Sequence, residues 1–200
     1  MRLSKIISVV LHPIFMPFIT LKLTLFLIPE IQFIIAPYLN FITLSVIIST
    51  IIVPLILILF FIQMGWVKSL EMDNYQERST PLIYCSLSMF IGYQFVDSFL
   101  VFVPIIKAEF FGAIIIISVA ALISRFWKIS LHMLAIGGLT GALISLHFLY
   151  EGITYFVIVA IITSGVLGIS RINENAHNYS QVYTGFLIGL SIELTTMLLF

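Results

Sequence analysis

A polar segment, residues 170–181, separates two long apolar stretches of the chain. It contains Arg171, His177 and Gln181, residue types that can bind an oxyanion, attack it and orient the attacking ring. His177 and Gln181 are four positions apart and would share one face if the last helix began here. Gln181 would then accept a hydrogen bond from one ring nitrogen of His177 and leave the other nitrogen as a nucleophile. The alternative interpretation is that these residues cap a helix at the level of the lipid head groups.

A second polar segment, residues 125–132, carries Arg125, Lys128, Ser130 and His132. Ser130 suits the N-cap of the helix that follows, where free backbone N–H groups and the helix dipole favour an anion. His132 would lie in the first turn of that helix and face the same place. The glycines that follow it indicate a tight helix–helix crossing, but they do not account for the histidine.

The first polar segment, residues 63–81, supplies Lys68 and Arg78. Pro81 is suited to the first turn of a helix, with Arg78 just before it. By itself such a segment is typical of a solvated loop. Its importance depends on whether it lies beside the other two.

The elements that must position these residues are apolar. Hydrophobic residues make up 61% of the chain and charged residues 9%, and the mean hydropathy is +1.20. A soluble protein of this length needs far more polar surface. The apolar residues run in stretches of roughly 17–25, the length at which a helix crosses a bilayer. We therefore predict an all-α, polytopic membrane helical bundle with about six to seven transmembrane helices, forming a single domain over residues 1–200.

Seven apolar segments can be drawn, and the first is interrupted by His12, Pro13 and Pro17. The segments are about 9–29, 41–62, 82–104, 109–126, 131–150, 153–169 and 182–200. If all seven cross the membrane, the three polar segments face the same side as the N-terminus. This shared side predicts one composite site. The positive-inside rule would make that side cytoplasmic, but residues that bind an anion are poor topology markers, so the orientation stays open.

Several classes of site are not indicated by the composition. The formal charge is zero, so we expect no nucleic-acid partner, and the lone Cys85 excludes a disulfide framework. The four histidines do not form a metal-binding pattern; His12 is expected at the membrane interface and His147 far from His132. Asp97 and Glu193 lie within apolar segments, where carboxylates are either functional or reach the interface near a span end.

In their order along the chain, these residues resemble the three signatures of the type 2 phosphatidic acid phosphatase family, which includes vanadium haloperoxidases. The third signature is Ser-Arg, five residues, His, three residues and Asp, and it resembles Ser170-Arg171, His177 and Gln181. Ser130-Leu131-His132 is similar to the Pro-Ser-Gly-His of the second signature. Arg78, with Pro81 three residues on, resembles the end of the first. The resemblance covers about residues 68–190.

The resemblance implies a membrane-embedded phosphatase that needs no metal or cofactor and acts on a lipid phosphate or an isoprenoid pyrophosphate. His177 would attack phosphorus and form a phosphohistidine, while His132 would protonate the leaving alkoxide. The implied phosphate-binding residues are Arg78, Arg171, Ser130 and either Lys68 or Lys128. An integral protein of a bacterial inner (plasma) membrane is expected, with a membrane lipid as substrate.

Three positions depart from the family pattern. Gln181 replaces an aspartate, Glu71 a lysine and Leu131 a glycine. These departures favour an alternative, a phosphatase-like protein that binds lipid phosphate without turnover. A third interpretation, a small transporter subunit, depends on Asp97 and Glu193 alone, and no inverted repeat supports it.

Overall fold

The fold is known from a computed structural model that describes residues 2–70, 72 and 74–200. The structure is 83% helical, and the described residues form no β-strand, which confirms the predicted all-α bundle. Ten α-helices follow one another in these residues: α1 (Arg2–Val10), α2 (Met16–Leu27), α3 (Pro29–Ile35), α4 (Leu39–Ile47), α5 (Val53–Gln63), α6 (Ser79–Asp97), α7 (Pro104–Ile123), α8 (Leu131–Leu149), α9 (Thr154–Asn173) and α10 (Tyr179–Leu199). Short 3₁₀ turns and one π-helical turn, Ile48–Ile52, join several of them.

Six helical stretches of the described chain are long and apolar enough to cross a membrane, as predicted for an integral membrane protein. They are Leu3–Leu27, Pro29–Gln63, Pro104–Ile123, Leu131–Leu149, Thr154–Asn173 and Tyr179–Leu199. Helix α6 has nineteen residues but is not among the six, because serine, tyrosine and glutamine side chains lower its hydropathy.

Two predicted boundaries are wrong, and proline explains both. The first two apolar segments were expected to end near residue 29 and to begin near residue 41, but helix α3 begins at Pro29 and continues through a 3₁₀ turn into α4. Helix α7 begins at Pro104 and not near residue 109, so Glu109 is buried inside a helix. Proline is favoured at the first position of a helix because its missing N–H would have no partner there.

Glycines bring α8 and α10 into close parallel contact, as the sequence predicted for the 137–141 stretch. A Cβ on Gly141 would lie 2.6 Å from the carbonyl oxygen of Leu190, and one on Gly185 would lie 2.9 Å from that of Ser130. Only residues without a Cβ permit such an approach of two backbones. The crossing therefore places the start of α8 beside the start of α10, where the second and third polar segments lie.

Asp97 has a structural partner at the opposite end of α6 from Arg78. Its carboxylate lies 2.7 Å from the Lys107 ammonium, and the side chain is 43% exposed. The ion pair joins the end of α6 to the start of α7. Asp97 is the last residue of α6, as expected for a carboxylate near the end of a span.

Candidate functional site

His177 and Gln181 are in contact, although not for the predicted reason. Helix α10 begins at Tyr179 with Asn178 as its N-cap, so His177 precedes the helix and does not share a helical face with Gln181. The contact forms because the Gln181 side chain folds back over the N-cap. Its Oε1 atom lies 3.0 Å from His177 Nδ1 and accepts from the Asn178 N–H at 3.2 Å, while the Asn178 side chain accepts from the Gln181 N–H at 3.0 Å. This is a complete capping box.

The capping box determines which nitrogen of His177 carries a proton. The Asn178 N–H can only donate, so the atom of Gln181 that faces it must be the amide oxygen. The same oxygen faces Nδ1 of His177, which must therefore donate. In the neutral ring the lone pair then lies on Nε2, the nitrogen that can act as a nucleophile. The same hydrogen bonds therefore fit both interpretations of this segment, the one in which it caps a helix and the one in which His177 is a nucleophile.

His177 is buried and surrounded by positive charge. Burial lowers the pKa of its ring to about 4, the positive charges of Arg78, Arg171 and Lys128 act in the same direction, and the hydrogen bond to Gln181 opposes them. The ring is consequently neutral at pH 7. A neutral imidazole beside cationic groups is suited to attack an anionic phosphorus centre.

Ser130 is the N-cap of α8, as predicted, but its hydroxyl makes no capping bond. The side chain is fully buried, and its oxygen has no hydrogen-bond partner within the part of the chain that the structure describes. The Ser130 N–H donates to the carbonyl oxygen of Gln181 at 3.4 Å, which joins the second polar segment to the third. A buried hydroxyl without a partner at a helix N-terminus is well placed to donate to an anion.

Arg78 joins the first polar segment to the second. Its guanidinium is buried, and it donates from Nε to the Met72 carbonyl at 2.6 Å and from Nη1 to the Ile129 carbonyl at 3.1 Å. It also stands directly before α6, as the position of Pro81 predicted. Together with the contact between Ser130 and Gln181, these bonds bring all three polar segments to one end of the bundle.

Arg171 lies in the last turn of α9 and is held by Glu174. Its Nη1 atom lies 2.6 Å from one carboxylate oxygen of Glu174, and the other carboxylate oxygen accepts from the Ser8 hydroxyl at 3.0 Å. Glu174 was not predicted as a partner of Arg171, although its spacing of three positions is typical of a helical ion pair. An anion at Arg171 would have to compete with this carboxylate or share the guanidinium with it.

The side chains of His132 and His12 are in contact. His132 Nε2 lies 3.0 Å from the Ser8 carbonyl oxygen, which can only accept, so this nitrogen carries a proton. The two histidine rings meet edge to face with centroids 5.4 Å apart. His12 was expected at the membrane interface, and its contact with His132 was not predicted. Their separation of 120 positions left no local signal for this contact.

The remaining predicted residues differ in their placement. The Lys68 side chain is 86% exposed and lies 3.9 Å from Glu77, so it is not brought into the buried group. Lys128 is partly buried, and its charge acts on His177. Glu71 falls outside the described residues. His147 lies in the last turn of α8, far from His132, as predicted.

The described residues contain no group of three or more histidine, cysteine, aspartate or glutamate side chains that is placed to hold a metal ion. No family model, curated protein or solved structure matches the chain. A neutral imidazole nitrogen, a buried hydroxyl and three cationic side chains can together bind an oxyanion and attack its central atom.

Proposed function

We propose that the protein is a membrane-embedded phosphatase that hydrolyses a lipid phosphate or an isoprenoid pyrophosphate. The observation that carries the proposal is the His177–Gln181 hydrogen bond, which leaves Nε2 of a buried, neutral ring unprotonated. The proposal is supported by the unpartnered Ser130 hydroxyl in the same composite site. The proposed setting is a bacterial inner membrane, in which the apolar tail of the substrate would lie among the helices.

In the proposed reaction, Nε2 of His177 attacks phosphorus as the bond to the leaving oxygen breaks. This oxygen belongs to an alkoxide when the substrate is a lipid monophosphate and to a prenyl phosphate when it is a pyrophosphate. The phosphoryl group is transferred to the ring, and the leaving oxygen takes a proton from His132. Water then attacks the phosphohistidine, a proton of the water passes to His132, and cleavage of the P–N bond releases inorganic phosphate. Splitting the hydrolysis into two displacements is ordinary covalent catalysis.

The cationic residues would hold the non-bridging oxygens during both displacements. Arg78 and Lys128 contribute positive charge near His177, and Ser130 contributes an O–H donor. Arg171 would exchange its bond with Glu174 for one to the phosphoryl group. Fixed donors in a site of low polarity stabilise such charge by several kcal/mol, on the order of 2–4 for one donor.

To act as the proposed acid, His132 would carry a proton on both ring nitrogens, because a neutral imidazole that lost its one proton would become an imidazolate. Its Nδ1–H would then donate the proton to the leaving oxygen, while its Nε2–H keeps the hydrogen bond with the Ser8 carbonyl. In this arrangement the Ser8 carbonyl holds the ring of the proposed acid.

A second candidate function is binding of a phosphorylated lipid without turnover. Two observations favour it. The amide of Gln181 accepts a hydrogen bond but has no net charge to stabilise the imidazolium that phosphoryl transfer creates. Glu174 already pairs with Arg171, one of the residues assigned to the phosphate.

The two candidates are distinguished by measuring binding and phosphate release on the same preparations. The protein would be placed in lipid nanodiscs in chelator-containing buffer and supplied with phosphatidic acid or a polyprenyl pyrophosphate. His177→Gln removes the nucleophile. His147→Gln, at the exposed far end of α8, is the matched control.

Phosphate release that is lost in His177→Gln and retained in His147→Gln would support the phosphatase. A phosphohistidine trapped on the wild type during turnover would support the covalent route. Binding of either lipid without release, in the wild type and in Gln181→Glu alike, would support the binding protein. Neither binding nor release would contradict both candidates.

A further inference from the structure

An apolar cavity of about 160 Å³ lies in the middle of the bundle. Its walls come from several helices, with Ile42 of α4, Met89 of α6, Phe110 of α7 and Leu139 of α8 among the lining residues. An apolar cavity of about 150 Å³ is large enough to bind benzene. The cavity therefore has room for a ligand group about the size of one aromatic ring.

Two buried carboxyl groups, Glu109 and Glu193, line this cavity. Glu109 of α7 is 5% exposed and Glu193 of α10 is 2% exposed. A Cβ on Gly112 would lie 2.5 Å from Glu193 Oε2, so the Glu193 carboxyl group occupies the space that this glycine leaves open, one helical turn from Glu109. Because Gly112 follows Glu109 by about one helical turn, the two carboxyl groups lie on the same part of the cavity wall.

The hydrogen bonds among the described residues satisfy these two carboxyl groups only in part. Glu109 Oε2 accepts from the Thr24 hydroxyl at 2.8 Å. Thr20 and Thr50, which also line the cavity, donate to carbonyl oxygens of their own helices. Among the described residues, Glu193 Oε1 has no hydrogen-bond partner. A buried polar atom in this state requires an explanation, since an unsatisfied hydrogen-bonding group in an apolar interior destabilises the fold.

The chemistry of the cavity selects among possible ligands. Two neighbouring carboxyl groups in an apolar interior favour a positive charge between them, and an ammonium group offers three N–H donors. A calcium ion takes about 6–8 oxygen ligands, more than two carboxyl groups and one threonine hydroxyl supply. The apolar walls suit an organic body attached to the cation.

We propose that this cavity is a ligand-binding site, separate from the phosphatase-like site, for a small organic ammonium compound with an apolar body of about one ring. The ammonium group would donate to Glu193 Oε1 and lie between Glu193 and Glu109. The ring would pack against the aliphatic and aromatic walls. His12, which also lines the cavity, brings one end of it to the His132 contact. A bound ligand would therefore lie next to the residues at the N-terminal end of α8.

The test compares two probes of one shape and different charge. The protein in lipid nanodiscs would be titrated with 4-fluorobenzylammonium and with 4-fluorobenzyl alcohol, and binding followed by fluorine NMR against empty nanodiscs. The variants are Glu193→Gln and Glu109→Gln, which keep the side-chain shapes. Thr196→Val is the matched control, because Thr196 lies on the same helix, is not among the lining residues and bonds only to its own helix.

We expect the wild type and Thr196→Val to bind the ammonium probe at least about tenfold more tightly than the alcohol, a difference of about 1.4 kcal/mol. In Glu193→Gln this preference should fall to about twofold or less. Equal affinity for both probes in the wild type, or binding of neither, would overturn the proposal. So would a preference that survives both glutamate substitutions.

Discussion

Replacing Gln181 with glutamate adds a negative charge beside His177 and keeps the length of the side chain and its capping hydrogen bond. Glutamate has the same length and serves equally well in a capping box, so its oxygen can still accept from the Asn178 N–H. The hydrogen bond to His177 Nδ1, now 3.0 Å long, would gain a full negative charge on the acceptor. We therefore expect the fold to be retained and the protonated form of His177 to be stabilised.

The size of the effect follows from the distance and the environment. Two unit charges about 4 Å apart attract by about 4 kcal/mol at an effective dielectric constant of about 20. Gln181 is partly exposed, so screening by water reduces this value. An opposite charge at this distance typically changes a pKa by about 1–3, which would raise the pKa of His177 from about 4 to between about 5 and 7.

The measurement is a pH titration of the imidazole resonances by NMR on histidine-labelled protein in nanodiscs, with His177→Gln used for assignment. Gln181→Met is the matched variant, because it has a similar length but no acceptor. In Gln181→Met the hydrogen bond to His177 is lost, so the pKa of His177 should be lower than in the wild type. A pKa of His177 that does not rise in Gln181→Glu would refute the assigned contact and, with it, the proposed nucleophile.

Two further predictions concern stability. Gly189→Ala places a Cβ against the Leu134 carbonyl at the crossing of α8 and α10. We expect this variant to be less stable than the wild type by about 1–3 kcal/mol, measured by thermal melting. In the control Gly165→Ala the new Cβ meets no neighbouring atom, and no loss of stability is expected. Because the pKa of His177 is about 4 in the folded protein and about 6.5 in the unfolded chain, protonation of this ring favours unfolding. The free energy of unfolding should therefore be unaffected by His177 above pH 6.5 and should fall by about 3 kcal/mol in total as the pH decreases from 6.5 towards 4. Melting temperatures at pH 7 and pH 4.5 should therefore differ less in His177→Gln than in the wild type.

The parts of the site that the sequence predicted are those with local signals. Ser130 was recognised as an N-cap because serine precedes an apolar helix, and Arg78 was placed before a helix because of Pro81. The contact between His177 and Gln181 was predicted from spacing, although the helical face assumed for it is not formed. Glu174 had a local signal as well, its position three residues after Arg171, but it was missed.

The tertiary contacts had no such signal. His12 meets His132 across 120 positions of the chain, and the Ser8 carbonyl accepts from His132 across 124. Lys68 was considered, together with Lys128, as a substitute for the lysine of the family pattern because of its charge, but in the structure it lies exposed beside Glu77. Charge and residue type identify candidates, whereas packing decides which of them meet.

The sequence alone determined the class of the protein. Its apolar stretches are long enough to span a bilayer, and in lipid a helix satisfies every backbone hydrogen bond internally, so the all-α membrane bundle follows from composition and length. Only the tertiary structure decided the positions of the two buried glutamates. Glu109 and Glu193 are 84 positions apart, and they line one cavity because Gly112 leaves room for the Glu193 carboxyl group between packed helices. Such a meeting depends on how helices pack against one another, a property that no single segment of the chain encodes.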